Sequence, residues 1–245
     1  MSDRVNASVL EAVERQDEHH IERHAAFLRR ITEGPIGLLF LGDSLTRRWA
    51  EAPRLWEQYF AKYQPANFGV GSDTTQNLKW RILNGELEGI NPGAVVLLIG
   101  TNNLPLHNEA EIAAAITDIV TILHQKLPET KLILMGLLPR DADDSSRDYL
   151  RSITAINREL QKLDGLGYAQ FLDIGDKFKD CGGKVNRTLI PDGLHLVEPG
   201  YEIWGESLLP FIEKCIKEQR GTLAVKVNSG KHSGSRGVWP DRVFR

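Results

Sequence analysis

Five short apolar runs limit what this chain can fold into: IGLLFL (36–41), ANFGV (66–70), AVVLLI (94–99), KLILMGLL (131–138) and YAQFLD (168–173). Runs this short and this continuously apolar suit strands covered on both faces, as in a parallel sheet. Between them lie amphipathic stretches at 53–62, 74–85, 108–127 and 146–163, with a last one at 199–218. In 108–127, Ile112, Ile116, Ile119, Val120, Leu123 and Leu127 recur three and four apart, which is one stripe of a helix, and Pro128 then stops it. Strand and helix alternating five times predict a doubly wound α/β sheet. In such sheets reactive residues collect at the carboxyl ends of the strands.

Two flanks extend this unit. Residues 8–32 read as an amphipathic helix, with Val9, Leu10, Val13, Ile21, Ala25, Phe27 and Leu28 partly on one stripe, expected to pack on its own domain. After Gly221 the sequence has glycine, serine and a proline and no helical period. It reads as a poorly structured tail, pinned if at all by Trp239 and Phe244. The expected division is an N-terminal helical extension (1–33), an α/β domain (34–219) and a basic tail (220–245). That tail carries six basic residues and one acid, a local +5; the whole chain is −3, which leaves −8 for residues 1–219. An acidic body argues against a nucleic-acid-binding domain.

At 41% hydrophobic, the 245 residues supply one large core, and no apolar run approaches the ~18 residues of a membrane helix. The first twenty residues hold no apolar stretch of a secretory signal. Cys181 and Cys215 are too few for a disulfide framework and lack zinc spacing. The expectation is a soluble cytoplasmic enzyme.

Three strand ends carry candidate chemistry. The first run ends in Gly42-Asp43-Ser44-Leu45-Thr46, which places a hydroxyl at a helix start; Asp43 or Ser44 could equally be only a helix cap. The second run leads to Gly71-Ser72-Asp73, where glycine lets a backbone amide approach a ligand closely. The third leads to Gly100-Thr101-Asn102-Asn103, which offers a side-chain amide. An ordinary turn would use the same residues at Gly71 and Asn102.

A serine nucleophile needs a base, and the base an orienting group. Of the seven histidines, His19, His20 and His24 fall on the N-terminal helix, where a solvated face is expected; HIERH is not the zinc-protease HExxH. His124 is late in another helix, His232 lies in the tail, and His107 follows a strand and is a weak candidate. His195 sits in Pro191-Asp192-Gly193-Leu194-His195, a turn just before the last helix. One short loop could there carry both carboxylate and imidazole, with the free ring nitrogen left for Ser44. A cysteine hydrolase built on Cys181 is the weaker alternative, because a buried inert thiol is the expected state of that residue.

GDSLT, GVGSDTTQNLKWRILNGEL, IGTNN and DGLHLVEPGY together resemble, in order, the four blocks of the SGNH, or GDSL, hydrolase superfamily over roughly residues 36–216. The second and third blocks are especially similar to those of the catalytic subunits of platelet-activating-factor acetylhydrolase and their bacterial relatives. The resemblance implies a three-layer α/β/α sandwich on a five-stranded parallel sheet, the flavodoxin-like SGNH fold. It implies Ser44 as nucleophile, His195 as general base and then acid, and Asp192 orienting it. Ser44, Gly71 and Asn102 would form the oxyanion hole. Relatives often have a second glycine where this chain has Ser72. The G-x-S-x-G elbow of α/β-hydrolases is absent.

The implied activity is hydrolysis of short-chain acyl esters, acetyl first, on acetylated carbohydrates ahead of lipids, with no metal or organic cofactor. A lysophospholipase, a lipid acetylhydrolase or a thioesterase is the enzymatic alternative, and a non-catalytic binding protein on the same fold is the alternative of another class. Related subunits often pair, so a homodimer is the expected assembly.

Overall fold

The computed structural model describes residues 8–142 and 146–230, with side chains as far as Gln219. The chain runs α1 (Glu18–Arg30), β1 (Leu38–Gly42), α2 (Ser44–Arg47), α3 (Pro53–Phe60), β2 (Pro65–Gly69), α4 (Thr75–Leu83), β3 (Ala94–Leu98), α5 (Glu109–Lys126), β4 (Lys131–Met135), α6 (Tyr149–Leu160), β5 (Ala169–Leu172) and α7 (Glu198–Gly230). Every strand grows from one of the five apolar runs. All pairs are parallel, in the order β2-β1-β3-β4-β5. β1 and β3 are buried along their whole lengths, as strands covered on both faces must be.

α3 and α7 pack together, and α4, α5 and α6 form a second layer, which gives the three-layer sandwich. Phe40 of β1, Trp49, Phe60 of α3, and Tyr201 and Trp204 of α7 make an aromatic core, with the Trp49 ring 4.8 Å from Tyr201 and 5.4 Å from Trp204. In this strand order the chain reverses direction across the sheet between β1 and β3. That crevice is where open α/β sheets bind ligands.

Several boundaries differ from the sequence reading. α1 starts at Glu18 rather than near residue 8, because the Asp17 carboxylate caps it by accepting from the His20 amide at 3.1 Å. Residues 8–17 instead form a strap against α4. The Val13 amide donates to the Gln76 carbonyl, Asn77 Nδ2 to the Val13 carbonyl, and Lys79 Nζ to the Leu10 carbonyl. Phe27 of α1 stacks on Phe68 of β2 at 4.3 Å, so the extension does pack on its own domain.

α6 begins at Tyr149, capped by Asp148, and not at 146. α7 runs through Gly221 to Gly230, where a tail was expected. A lone glycine costs a helix only about 1 kcal/mol, and no proline follows Pro210 until Pro240. Trp239, Phe244 and His232 lie outside the described residues. Cys181 is exposed rather than buried, because it sits in a turn organised by the Asp180 side chain, which accepts from the Gly182 and Lys184 amides; Cys215 is the buried thiol.

Candidate active site

Register brings the three strand-end motifs together. Gly42 of β1 pairs with Gly69 of β2 and with Leu98 of β3, so Ser44 and Gly71 each lie two residues beyond a common line and Asn102 four. A β-carbon on Gly42 would overlap the Leu98 carbonyl and the Thr46 hydroxyl, which is why this strand must end in glycine. Asp43 caps α2 by accepting from the Leu45 amide at 2.9 Å. The capping role and the placing of the neighbouring hydroxyl at the cavity wall thus coexist. Asp43 itself is fully buried; burial, with repulsion from Asp73, pushes its carboxyl up to about 7 against the Leu45 hydrogen bond and the charge of Arg140.

The Pro191–His195 turn closes on Ser44. Gly193 adopts φ +80°, a conformation that favours glycine, and this lets Asp192 Oδ1 accept from the Leu194 and His195 amides at 2.9 and 2.7 Å. Asp192 Oδ2 faces His195 Nδ1 at 2.7 Å, and His195 Nε2 faces Ser44 Oγ at 3.0 Å. An ionised carboxylate only accepts, so Nδ1 carries the proton and Nε2 is free to accept from the serine hydroxyl. Partial burial raises the Asp192 carboxyl, but the His195 amide and ring and the Leu194 amide together outweigh it and hold the group at about 2. The carboxylate is therefore ionised at neutral pH. Tyr201 of α7 donates to the Leu45 carbonyl at 2.8 Å and so ties the helix that follows the turn to the helix that carries Ser44.

Asn102 Nδ2 donates to the Asp73 carbonyl at 2.9 Å, which fixes its amide and leaves one N–H. Among the described residues no hydrogen bond engages the Ser44 or the Gly71 amide. Ser72 adopts φ +65°, the left-handed region, which explains on conformational grounds why glycine suits that position.

Several residues that shape the site were not singled out from sequence. Arg15 in the strap donates to the Gly71 carbonyl at 2.6 Å and to Asp73 Oδ1 at 2.8 Å. Fully buried Arg81 reaches Asp73 Oδ2 at 2.8 Å and Glu86 at 2.6 Å, with the Gly42 carbonyl at 3.4 Å. A charged residue between Leu78 and Ile82, on the buried face of α4, was the available signal.

Of the three N-terminal histidines only His19 is exposed; His20 and His24 are turned onto the domain. His20 is 1% exposed beside Asp73 and Trp80, His24 Nδ1 meets Glu86 at 2.8 Å, and His19 lines the cavity around Ser44. His107 pairs with the Gln76 amide at 3.1 Å, His124 stacks on Tyr168, and neither lines that cavity. Among the described residues no group of three His, Cys, Asp or Glu could hold a metal ion, and no helix is long and apolar enough to cross a membrane.

Ser44, Gly71, Asn102 and His195 share a cavity of about 420 Å³ in which Leu194 is, among the described residues, the sole large apolar side chain; arginines, Asp17 and His19 supply most of the rest. An imidazole bonded to a hydroxyl on one nitrogen and a carboxylate on the other can take the hydroxyl proton while the carboxylate stabilises the imidazolium.

Comparison with known proteins places this geometry in a family. Residues 40–203 match the model of the GDSL-like lipase/acylhydrolase family. The chain is 32% identical over 214 residues to the rat platelet-activating factor acetylhydrolase IB subunit alpha2, covering 85% of this chain and 91% of that protein. It is 30% identical over 206 residues to the bovine alpha1 subunit, covering 84% and 87%. In fold it resembles a GDSL-like lipase from Bacteroides thetaiotaomicron (TM-score 0.65, 20% identity, 78% of this chain and 97% of that one). It also resembles an acetylxylan esterase from Geobacillus stearothermophilus (TM-score 0.57, 20% identity, 73% and 95%). The chain belongs to the GDSL-like lipase/acylhydrolase family and is a carboxylic ester hydrolase.

Proposed function

We propose that the protein hydrolyses short-chain acyl esters, acetyl esters first, through an acyl-enzyme on Ser44. The observation that carries this is the unbroken run from Asp192 Oδ2 through the His195 ring to Ser44 Oγ, at 2.7 and 3.0 Å. In the first step Ser44 Oγ attacks the ester carbonyl while His195 Nε2 takes its proton. The carbonyl oxygen becomes an oxyanion, held by the free Ser44 and Gly71 amides and the remaining N–H of Asn102. His195 returns the proton to the alcohol oxygen, the C–O bond breaks, and the acyl group stays on Ser44. A water deprotonated by His195 then attacks the acyl carbon, and Ser44 regains its proton as the acid leaves.

The short acyl preference rests on the cavity lining. Each buried CH₂ contributes about 0.8 kcal/mol only where the wall is apolar, and here, among the described residues, Leu194 alone of the large lining side chains offers that. Acetylated carbohydrates are the first alcohols to test. The name of the sequence relatives favours a second reading, an acetyl ester of a lipid alcohol.

The test is hydrolysis of 4-nitrophenyl esters from acetate to palmitate, beside the Ser44→Ala variant and labelling of Ser44 by a serine-directed phosphonate. Activity should fall steeply beyond butyrate and vanish in the variant. Rates rising with chain length would replace the short-acyl reading with a lipase. Full activity in Ser44→Ala would remove the nucleophile assignment. A wild-type protein that neither turns over an ester nor takes the phosphonate would be a binding protein on this fold.

A further inference from the structure

Arginines gather beside the Gly71 amide in excess of what acyl transfer on Ser44 requires. Arg47 ends α2, Arg48 opens the turn that follows, and both line the cavity around Ser44 with their side chains about one-third exposed. Arg47 Nε lies 3.8 Å from where a β-carbon on Gly71 would sit. A third guanidinium, Arg23 of α1, is close behind: burial first, and then the charge of Arg47, holds it below the usual guanidinium range.

The acid facing this group is insufficient. Glu51, half exposed, lies 3.3 Å from Arg47 Nη2 and 3.6 Å from Arg48 Nε and is shared between them. Arg48 Nε is buried, and among the described residues it has no hydrogen-bond partner. The third arginine of the cavity is already engaged. Arg15 grips Asp17 through two nitrogens at 2.8 and 3.0 Å and spends its third on Gly71 and Asp73. Arg47 and Arg48, sharing Glu51, therefore leave one positive charge in excess beside the reacting centre. Neighbouring like charges oppose folding unless something else compensates them. The guanidinium fork matches carboxylate and phosphate oxygens in geometry and charge.

We propose that Arg47 and Arg48 bind an anionic group, carboxylate or phosphate, on the alcohol part of the ester, so that the preferred substrate is a short-acyl ester of an acidic alcohol. This rests on the reading of Ser44 given above.

The test compares kcat/KM for 4-acetoxybenzoate, 4-acetoxyphenyl phosphate and the neutral 4-acetoxybenzamide in the wild type, Arg47→Gln, Arg48→Gln and Arg54→Gln. Arg54 is a surface arginine paired with Glu198 outside the cavity, so its variant controls for net charge. Ratios between substrates are compared across proteins, so intrinsic leaving-group reactivity cancels. The anionic-to-neutral ratio should drop about 10–100-fold in Arg47→Gln or Arg48→Gln, the scale of one charge-assisted hydrogen bond, and hold in Arg54→Gln. The larger of the two anionic ratios tells a carboxylate from a phosphate. A ratio unchanged in both cavity variants would overturn the proposal.

Calorimetric titration of the Ser44→Ala protein with the benzoate and the benzamide gives a readout that needs no turnover. Tighter binding of the benzoate is expected, and equal affinities, or binding of neither, would count against the arginine pair. If the wild type hydrolysed none of the three esters and took no phosphonate on Ser44, the Ser44 reading would fail while this titration still decided the anion site.

Discussion

Arg15 Nη1 donates to the Gly71 carbonyl at 2.6 Å although the two residues are 56 apart in sequence, and the same nitrogen holds buried Asp73 at 2.8 Å. A strap outside the family-matched region thus fixes the Gly71–Ser72 peptide, the one that follows the Gly71 amide in the cavity wall. Arg15→Ala should lower kcat by roughly 10–100-fold, the scale set by displacing a positioned group by a fraction of an ångström to one ångström. It should also destabilise the fold by about 1–3 kcal/mol, because Asp73 loses one of its two arginine partners while buried. Arg15→Lys should not restore activity, since one ammonium cannot hold Asp17, Gly71 and Asp73 together. Steady-state kinetics on 4-nitrophenyl acetate, beside urea unfolding, checks both effects. Unchanged kcat in Arg15→Ala would reduce the strap to a stabilising role.

Ser72 stands at φ +65° next to that peptide. A left-handed conformation costs a residue with a β-carbon roughly 1–2 kcal/mol, and glycine gives back about 0.5–1 kcal/mol of that in lost unfolded-state freedom. Ser72→Gly should therefore stabilise the protein by about 0.5–1 kcal/mol and raise its Tm by about 1–3 °C. Ser72→Val, with a branched β-carbon in the same conformation, should do the reverse. Thermal unfolding of the three proteins at one pH decides it, and a lower Tm for the glycine variant would refute the strain argument.

Asn102 commits one N–H to the Asp73 carbonyl, so the other is already aimed before substrate arrives. Removing one preorganised oxyanion donor usually costs ~10²–10³ in kcat, and Asn102→Ala should fall in that range with KM little changed. Asn102→Asp should be worse than alanine, because a carboxylate beside the developing oxyanion adds repulsion to the lost donor. Equal kcat for wild type and Asn102→Ala would take Asn102 out of the oxyanion hole.

Much of this arrangement was legible in the chain, and the reasons differ from residue to residue. The apolar runs mark strands because a doubly covered strand leaves no polar face, and Gly42, Gly71 and Asn102 stand where those runs stop. Asp192 and His195 are readable because a single turn carries both. Arg15 was invisible because its partners lie 56 and 58 residues away, and no local pattern encodes a contact that depends on how a strap crosses α4. Asp17 ahead of Glu18 was a legible capping signal that the apolar stripe of residues 8–32 masked. His20 and His24 read as solvated because helical spacing does not reveal buried acids on another element; Asp73 and Glu86 wait there. The length of α7 escaped because the residues after Gly221 show no helical period, although the backbone continues the helix to Gly230.

Asp43 provides a pH test that does not involve turnover. It is fully buried, its Oδ1 accepts from the Leu45 amide at 2.9 Å, and among the described residues its Oδ2 has no partner. With its carboxyl pushed up to about 7, the folded protein holds this proton over a range in which the unfolded chain releases it. The sign follows directly: from about pH 4 to 7 the unfolded state gives up the proton and the folded state does not, so stability falls as pH rises, and above 7 the full penalty remains. Three units of separation correspond to something on the order of 4 kcal/mol. Asp43→Asn keeps an oxygen for the Leu45 amide and has nothing to ionise. Its stability relative to wild type should therefore improve steadily from pH 4.5 to 7.5 and then level off, as read by urea unfolding at four pH values. A difference between the two proteins that stays flat across that range would mean that Asp43 is ionised throughout and that its buried charge is compensated.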